Sequence, residues 1–319
     1  MSENQKPIVI MGATATGKTE LSLKIARKVK GEIISSDSRQ VYKSLNAGLA
    51  KPNGKWNKEN TLYVVDGINY HLTDILNPNL TYDASVFCKQ TKKIIKEITA
   101  RGNVAILAGG TGLYIQSYFV GMDKLPKANE KIRTKLTEEI KKKGNAALHK
   151  KLQKIDPVSA EKIPAQNTQR LIRALEIYKL TGRPISSFHT KKYDKLPSDK
   201  ALFVLLKWDK KLLHKRIEQR THKIFPDMIT ETNKLLASGY KPDCPALKSL
   251  GYREVLDFVR GKLTKTQAIE KIIGLTKAYA KRQTTWFKRY KNVFLVNVDI
   301  PEEWNTDALA EKIIQKWKK

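Results

Sequence analysis

Short runs of apolar residues alternate along the chain with longer stretches in which apolar positions recur every three or four residues. A short, continuous apolar run bounded by polar or turn residues is typical of a buried parallel strand, and the longer period is typical of a helix. The predicted strands are residues 8–11, 32–36, 104–108, 202–206 and 293–298. Helices are predicted between them, as at 84–98. This alternation predicts an α/β fold with a doubly wound parallel sheet.

The alternation is interrupted after the third predicted strand. From 122 to 199 the pattern is helical and rich in lysine, with helices predicted at 132–143 and 170–180. Gly182 and Pro184 follow the second of these as stop signals. We therefore predict three parts. They are residues 1–121, the first part of the α/β core; residues 122–199, an inserted helical subdomain; and residues 200–319, the second part of the core with a helical block at 212–290.

The first predicted strand leads into a loop of the form G-x-x-x-x-G-K-[ST], and a helical pattern follows. In such a P-loop the main-chain N–H groups and the positive end of the helix dipole bind phosphate. Lys18 would reach the outer phosphates and the Thr19 hydroxyl would ligate Mg²⁺, although a purely structural turn is the alternative. The loop makes the predicted fold P-loop NTPase-like. The expected phosphate-binding residues are Gly12, Ala13, Thr14, Ala15, Thr16, Gly17, Lys18 and Thr19.

Charge is the second strong signal. The chain of 319 residues has 61 Lys and Arg against 31 Asp and Glu, a net charge of +30. A polyanion such as nucleic acid is the natural partner, although a lysine-rich proteome would give the same excess. With two cysteines and no apolar run near the roughly 20 residues of a membrane span, the chain lacks a disulfide framework and a spanning segment. We expect a cytoplasmic protein.

Several polar residues follow predicted strands, where open α/β sheets bind their ligands. Asp37 could ligate Mg²⁺ through water or accept a proton from a nucleophile, or it could simply form a turn. Thr111 follows two glycines, which suit either a ligand or a tight turn. Asp66 follows an apolar run, as a metal-binding Asp or a turn residue would. Arg216 and Arg220, one helical turn apart, could point back at the phosphate loop.

Two segments combine cations with aromatic or apolar residues. Arg170 and Arg173 lie three residues apart on one predicted helical face, and residues 279–290 mix aromatic and basic side chains. Such sets suit RNA, because bases stack on rings and cations neutralise phosphates. The helical spacing of Tyr279, Trp286 and Tyr290 is equally typical of core packing.

From residue 7 to 290 the chain resembles the bacterial tRNA dimethylallyltransferase (isopentenyltransferase) family. The matching segments stand in the family's order. They are GATATGKT (12–19), ISSDSRQVY (34–42), AKP (50–52), HLTDILNP (71–78), GGTGLYI (109–115), QRLIRALEIYKLTGRP (169–184), LGYRE (250–254) and YAKRQTTWF (279–287). Leu49 departs from the pattern, because the family usually has Thr before Ala-Lys-Pro.

The resemblance implies transfer of a dimethylallyl group from dimethylallyl diphosphate to N6 of the adenosine 3′ to the tRNA anticodon. It implies that Asp37 accepts the N6 proton, while Thr19, Mg²⁺ and Arg220 neutralise the diphosphate. The target base must leave its stack, and the inserted subdomain would bind the anticodon stem-loop of tRNA. We expect a monomer. The implied tRNA contacts are Asp37, Ser38, Arg39, Gln40, Thr111, Arg133, Gln169, Arg170, Leu171, Ile172, Arg173, Lys248, Ser249, Leu250, Gly251, Tyr252 and Arg253.

Three other functions compete with this one. An isopentenyltransferase acting on free adenine nucleotides would have little need of a basic insertion at 122–199. A P-loop kinase for small molecules would bind ATP, with Arg216 and Arg220 in a lid. A non-catalytic RNA-binding NTPase would not need Asp37.

Overall fold

The computed structural model describes residues 6–189, 193–299 and 304–319. In this part of the chain the strands are β1 (Ile8–Gly12), β2 (Gly31–Ser35), β3 (Lys55–Trp56), β4 (Tyr63–Val65), β5 (Ile68–His71), β6 (Val104–Gly109), β7 (Leu202–Trp208) and β8 (Phe294–Val298). The helices are α1 (Lys18–Val29), α2 (Ala84–Ala100), α3 (Gly112–Phe119), α4 (Glu130–Ile155), α5 (Pro157–Lys162), α6 (Thr168–Thr181), α7 (Lys210–Ala237), α8 (Tyr252–Val259), α9 (Lys265–Phe287) and α10 (Thr306–Trp317).

The strands form one sheet in the order β3-β4-β5-β2-β6-β1-β7-β8. Six neighbouring strands, from β5 to β8, are parallel, and β3 and β4 complete one edge in antiparallel pairing. Each predicted strand is present, with bounds that differ by one or two residues, and the predicted α/β fold with a mostly parallel sheet is confirmed. The antiparallel edge is an addition that the apolar runs did not predict.

Strand β1 shows why an apolar run becomes a central strand. Its side chains alternate between the two faces of the sheet, so that Ile8 and Ile10 enter one apolar cluster while Val9 and Met11 enter another. All four are fully buried. A strand covered on both faces cannot carry polar residues on either, which is why its pattern is continuous rather than alternating. The carboxyl end of β1 therefore emerges from the centre of the sheet.

The antiparallel edge is a tight hairpin between β4 and β5. Its two-residue turn is Asp66-Gly67, with φ of 49° and 78°. Asp and Gly are the residue types that tolerate this left-handed conformation most readily. The exposed Asp66 carboxylate forms an ion pair with Arg27 at 3.1 Å. Asp66 is thus the turn residue that the sequence had allowed for.

The chain divides into two compact units, residues 1–120 with 193–319, and residues 121–192. In the second unit α4 is interrupted at Gly144, which has φ of 76°. Leu148, Leu152 and Leu171 are fully buried in that unit's own core. Between 122 and 199 the described residues contain no strand. The first unit begins again at 193, and there the Leu196 N–H donates to Asn292 Oδ1 at 3.2 Å.

The described helices include none that is long and apolar enough to cross a bilayer.

Candidate active site

The phosphate loop joins β1 to α1 through two unusual glycines. Gly12 has φ of 157° and Gly17, the N-cap of α1, has φ of 82°. Within the loop the Thr16 hydroxyl donates to the Ala13 carbonyl at 2.9 Å. The left-handed conformation at Gly17 is strained for residues with a Cβ, so a glycine is required where the loop enters the helix. The loop thus has the strand-turn-helix form that the motif predicts.

Lys18 folds back over this loop. Its ammonium group donates to the Ala13 carbonyl at 2.6 Å. Burial lowers the pKa of Lys18 to about 8, an effect that the Asp37 carboxylate opposes and the Arg220 guanidinium strengthens. The Lys18 ammonium therefore lies within electrostatic range of both side chains.

Two arginines of α7 contact the same loop. The Arg216 Nε donates to the Ala15 carbonyl at 3.0 Å, and its guanidinium lies 4.4 Å from the centre of the Trp208 ring. A guanidinium nitrogen of Arg220 donates to the Thr14 hydroxyl at 3.1 Å. Burial lowers the pKa of Arg220, and the charge of Arg216 adds to this effect. The structure thus brings both arginines to the phosphate loop, as their spacing after the fourth predicted strand had allowed.

Asp37 lies just after the carboxyl end of β2 and combines two roles. Its Oδ1 accepts hydrogen bonds from the N–H of Arg39 at 2.8 Å and of Gln40 at 3.4 Å, which makes it a turn residue. Its charge also acts on its neighbours, since it raises the pKa of Lys18 and of Tyr279. The local turn holds the carboxylate in place at the carboxyl ends of the parallel strands, where the phosphate loop also lies.

The second glycine-rich turn, after β6, packs against the residues that precede Asp37. A Cβ added to Gly109 would lie 2.2 Å from the carbonyl oxygen of Ser36, so the two backbones can meet only at a glycine. The Thr111 hydroxyl accepts from the Ser38 N–H at 3.1 Å. Thr111 is therefore fixed beside Asp37.

These elements surround a cavity of about 480 Å³ in the first unit. Its cationic side chains are Lys18, Arg216, Arg220 and Lys223, against the carboxylates of Glu20 and Asp37. The excess of positive charge suits an anionic ligand. The remaining lining residues are Thr14, Ala15, Thr16, Gly17, Thr19, Gln40, Leu49, Ala50, Tyr70, Ala108, Gly109, Gly110, Gln219 and Gln283.

Thr19, Glu20 and Asp37 bring to this cavity oxygen atoms of the kinds that suit a magnesium ion. Among the described residues no group of three or more His, Cys, Asp or Glu side chains could hold a metal by itself. Mg²⁺ does not need such a group, because it commonly uses one or two protein oxygens together with substrate phosphates and water. Tyr70 lines the same cavity, and burial raises the pKa of its hydroxyl.

Among the residues at the site that were not predicted as site residues, three come from elements outside the predicted motifs of the site or from a part of a motif that was not assigned to it. Tyr70 comes from β5, Gln283 from α9, and Trp304 precedes α10. A Cβ added to Gly17 would lie 2.2 Å from the Trp304 ring, so the indole covers the phosphate loop. Gln283 stands in the YAKRQTTWF segment, which was a signal for it, whereas Tyr70 and Trp304 stand in no motif.

The predicted RNA contacts of the first unit divide into exposed and buried side chains. Arg39, Lys248 and Arg253 are exposed and open to a ligand. Ser249 and Tyr252 are 2% and 0% exposed, and contact of these two residues with RNA stays a prediction. Of the remaining members of this set, Ser38 and Leu250 are half-buried, and Gly251 is the buried N-cap of α8. Gln40 is buried, and its side-chain amide donates to the Ala50 carbonyl at 2.9 Å.

In the second unit the arginines pair with a buried carboxylate. Arg133 Nε and Arg173 donate to Glu176 at 2.9 and 2.7 Å. Leu171 is fully buried in this unit's core. Gln169 and Arg170 at the start of α6 are exposed, and Ile172 is half-buried. Contact of these residues with RNA stays a prediction.

The fold and this site define a P-loop-like α/β protein with a cationic cavity at the carboxyl ends of its parallel strands. The family model described as IPP transferase matches residues 40–290. The chain belongs to this IPP transferase family. It is 49% identical over 287 residues to the tRNA dimethylallyltransferase of Elusimicrobium minutum, covering 90% of this chain and 92% of that protein. It is 41% identical to that of Carboxydothermus hydrogenoformans, with 90% of each covered.

Solved structures agree with this assignment. The full-length tRNA isopentenylpyrophosphate transferase of Bacillus halodurans is similar with a TM-score of 0.67 and 33% identity, covering 98% of this chain and 97% of that one. A eukaryotic dimethylallyltransferase acting on tRNA is similar with a TM-score of 0.74 and 26% identity, covering 97% of this chain and 78% of that one. The predicted resemblance to the family is confirmed.

Proposed function

We propose that the protein transfers a dimethylallyl group from dimethylallyl diphosphate to N6 of the adenosine 3′ to the anticodon of tRNA. One observation carries the proposal: Lys18, Asp37 and Arg220 line a single cavity at the carboxyl ends of the parallel strands. Cations and a carboxylate in one cavity suit a reaction in which an anion leaves while a proton is removed. Membership of the family then favours a prenyl diphosphate and a tRNA as the two substrates.

The phosphate loop, Lys18 and Arg220 would bind the diphosphate. The bond between C1 of the prenyl group and the diphosphate oxygen breaks in the reaction, so negative charge grows on the leaving group. Buried cations stabilise such charge strongly, because little water screens them. Thr19 would hold Mg²⁺, which when bound would neutralise further charge on the diphosphate oxygens.

Asp37 would serve the acceptor. The lone pair of adenine N6 is delocalised into the ring, so N6 is a weak nucleophile and benefits from a positioned base. As the N6–C1 bond forms and the C1–O bond breaks, one N6 proton passes to the Asp37 carboxylate and diphosphate leaves. The main-chain hydrogen bonds from Arg39 and Gln40 hold the carboxylate for this step.

The tRNA would be bound by side chains of both units. Arg39, Lys248 and Arg253 are exposed in the first unit, and Gln169 and Arg170 in the second. We propose that residues 121–192 serve as a tRNA-binding subdomain, whose lysines contact phosphates. The net charge of +30 supports a large polyanionic partner. The target adenosine would leave its stack to enter the cavity. We further propose that the protein acts as a monomer in the cytoplasm.

The test is incubation of the purified protein with dimethylallyl diphosphate, Mg²⁺ and unmodified tRNA, followed by mass spectrometry of the digested nucleosides. A prenyl-sized mass gain on one adenosine is expected. A gain on free AMP but none on tRNA would move the function to a nucleotide-directed enzyme, and ATP consumption without prenyl product would favour a kinase.

A pair of variants addresses the role of Asp37. Asp37→Asn retains the Oδ1 that accepts the main-chain hydrogen bonds but removes the base. We expect it to bind tRNA normally and to lose product. Asp66→Asn is the matched control, because it makes the same change on the exposed hairpin turn and should stay active.

A further inference from the structure

Gln283 is a polar side chain buried between the two glycine-rich turns of the site. It is 6% exposed and comes from the last turns of α9. Its Oε1 accepts from the Thr14 N–H at 2.8 Å, and its Nε2 donates to the Gly110 carbonyl at 2.9 Å. A main-chain N–H only donates and a main-chain carbonyl only accepts, so the orientation of the amide is determined by its partners.

The first partner belongs to the phosphate loop. Thr14 is held twice, through its N–H by Gln283 and through its hydroxyl by Arg220. In a P-loop the main-chain N–H groups are the usual phosphate donors. Here one of them is already satisfied by a protein side chain, which therefore defines one end of the space that a diphosphate can occupy.

The second partner belongs to the turn that carries Thr111. A Cβ added to Gly110 would lie 2.2 Å from the Gln283 Nε2, so the turn packs directly on the amide. Thr111 follows at once, and its hydroxyl accepts from the N–H of Ser38, the residue next to Asp37. A continuous series of contacts thus runs from the phosphate loop through Gln283 to the residues around the carboxylate.

We propose that Gln283 is a positioning residue that sets the separation between the phosphate loop and the turn beside Asp37. This inference rests on the proposed function, because it concerns the alignment of the leaving group with the acceptor base. The reacting C1 must lie between the diphosphate and N6, so a change in that separation misaligns the displacement. Misplacement of a reacting group by about 1 Å can lower a rate on the order of 100-fold.

The experiment compares Gln283→Met and Gln283→Glu in the full-length protein. Methionine has a similar size but makes neither hydrogen bond, whereas glutamate keeps an acceptor for the Thr14 N–H and loses the donor to Gly110. Single-turnover rates are measured on preformed enzyme–tRNA complexes with saturating dimethylallyl diphosphate, and thermal unfolding gives the folded fraction. Gln267→Glu is the matched control, since it makes the same change on α9 and preserves the capping box with Thr264.

We expect Gln283→Met to lower the single-turnover rate per folded molecule by roughly 10- to 100-fold while tRNA affinity stays within about twofold of the unsubstituted protein. Gln283→Glu should be at least as slow, because its buried carboxylate would face the Gly110 carbonyl and add negative charge to the cavity that binds the diphosphate. A folded Gln283→Met protein with an unchanged rate would overturn the inference, as would a loss explained entirely by its unfolded fraction. Failure of the unsubstituted protein to prenylate tRNA would instead refute the proposed function.

Discussion

The lowered pKa of Lys18 predicts that donor binding weakens as the pH rises. Burial sets this pKa at about 8 in the free protein, against 10.5 for an ordinary lysine. If only the charged ammonium binds the diphosphate, the apparent Kd is multiplied by the factor 1 + 10^(pH − 8). Between pH 7 and pH 9 this factor rises from about 1.1 to about 11, so the affinity should fall roughly tenfold.

Isothermal titration calorimetry with a non-reactive thio analogue of dimethylallyl diphosphate measures this effect. A terminal phosphate with a pKa of about 6 is already ionised above pH 7, so the ligand contributes little to the slope. Above pH 8, binding should also take up a proton, which appears as a dependence of the measured heat on the ionisation enthalpy of the buffer.

Two variants separate Lys18 from other groups. Lys18→Met should bind weakly and with little pH dependence, whereas Lys24→Met, on the same helix but paired with Asp307 on the surface, should keep the full dependence. An unchanged affinity between pH 7 and pH 9, or an equal slope in Lys18→Met, would refute the assignment of Lys18 to the diphosphate.

Three further predictions address other parts of the molecule. Arg220→Ala should lower kcat on the order of 100- to 1,000-fold, the usual loss when a preorganised group that stabilises developing charge is removed, and normal single-turnover rates at all donor concentrations would contradict this. Burial of Glu32 would raise its pKa, but hydrogen bonds from His71, Asn103, Asn69 and Arg101 lower it to about 2 instead. Its stabilisation of about 3 kcal/mol should be complete above pH 4.5 and be lost as the pH falls towards 2, so denaturant titrations of Glu32→Gln should show less stability at pH 7 and a smaller decline in acid. The affinity for tRNA should fall about 1,000-fold between 50 and 200 mM salt if six phosphates are contacted. An affinity in filter binding that does not change with salt would show that the net positive charge does not serve RNA binding.

The central strands could be predicted because burial on both faces leaves a continuous apolar run. The β4–β5 hairpin was missed as a pair of strands, since its runs are short and lie at the sheet edge. Its turn had nevertheless a local signal, because Asp66-Gly67 is a favoured sequence for a two-residue hairpin. Short edge strands are thus better predicted from turn residues than from apolar runs.

The site residues that directly follow a strand in the sequence could be predicted. The phosphate loop and Asp37 are local features, and the structure places them together. Gln283 could not be placed from its pattern, because its partner Thr14 lies 269 positions away and only the packing of α9 brings the two together. The packing of each helix decides which residues of a motif face inward, and for this reason Leu171 and Tyr252 are core residues although they stand in segments predicted to bind RNA.

The cover that Trp304 provides over Gly17 has a consequence for biosynthesis. The phosphate loop leaves the ribosome early, whereas the Gln283 amide beside it is translated 269 positions after Thr14, and the indole above it later still. The salt bridges from Lys24 and Lys28 of α1 to Asp307 and Glu311 of α10 likewise join an early helix to one that is translated much later. A nascent chain can therefore form its central strands long before it can complete the site. Ribosome-bound chains that end before residue 283 should be unable to capture the prenyl donor, and competence should appear only when the last helix docks.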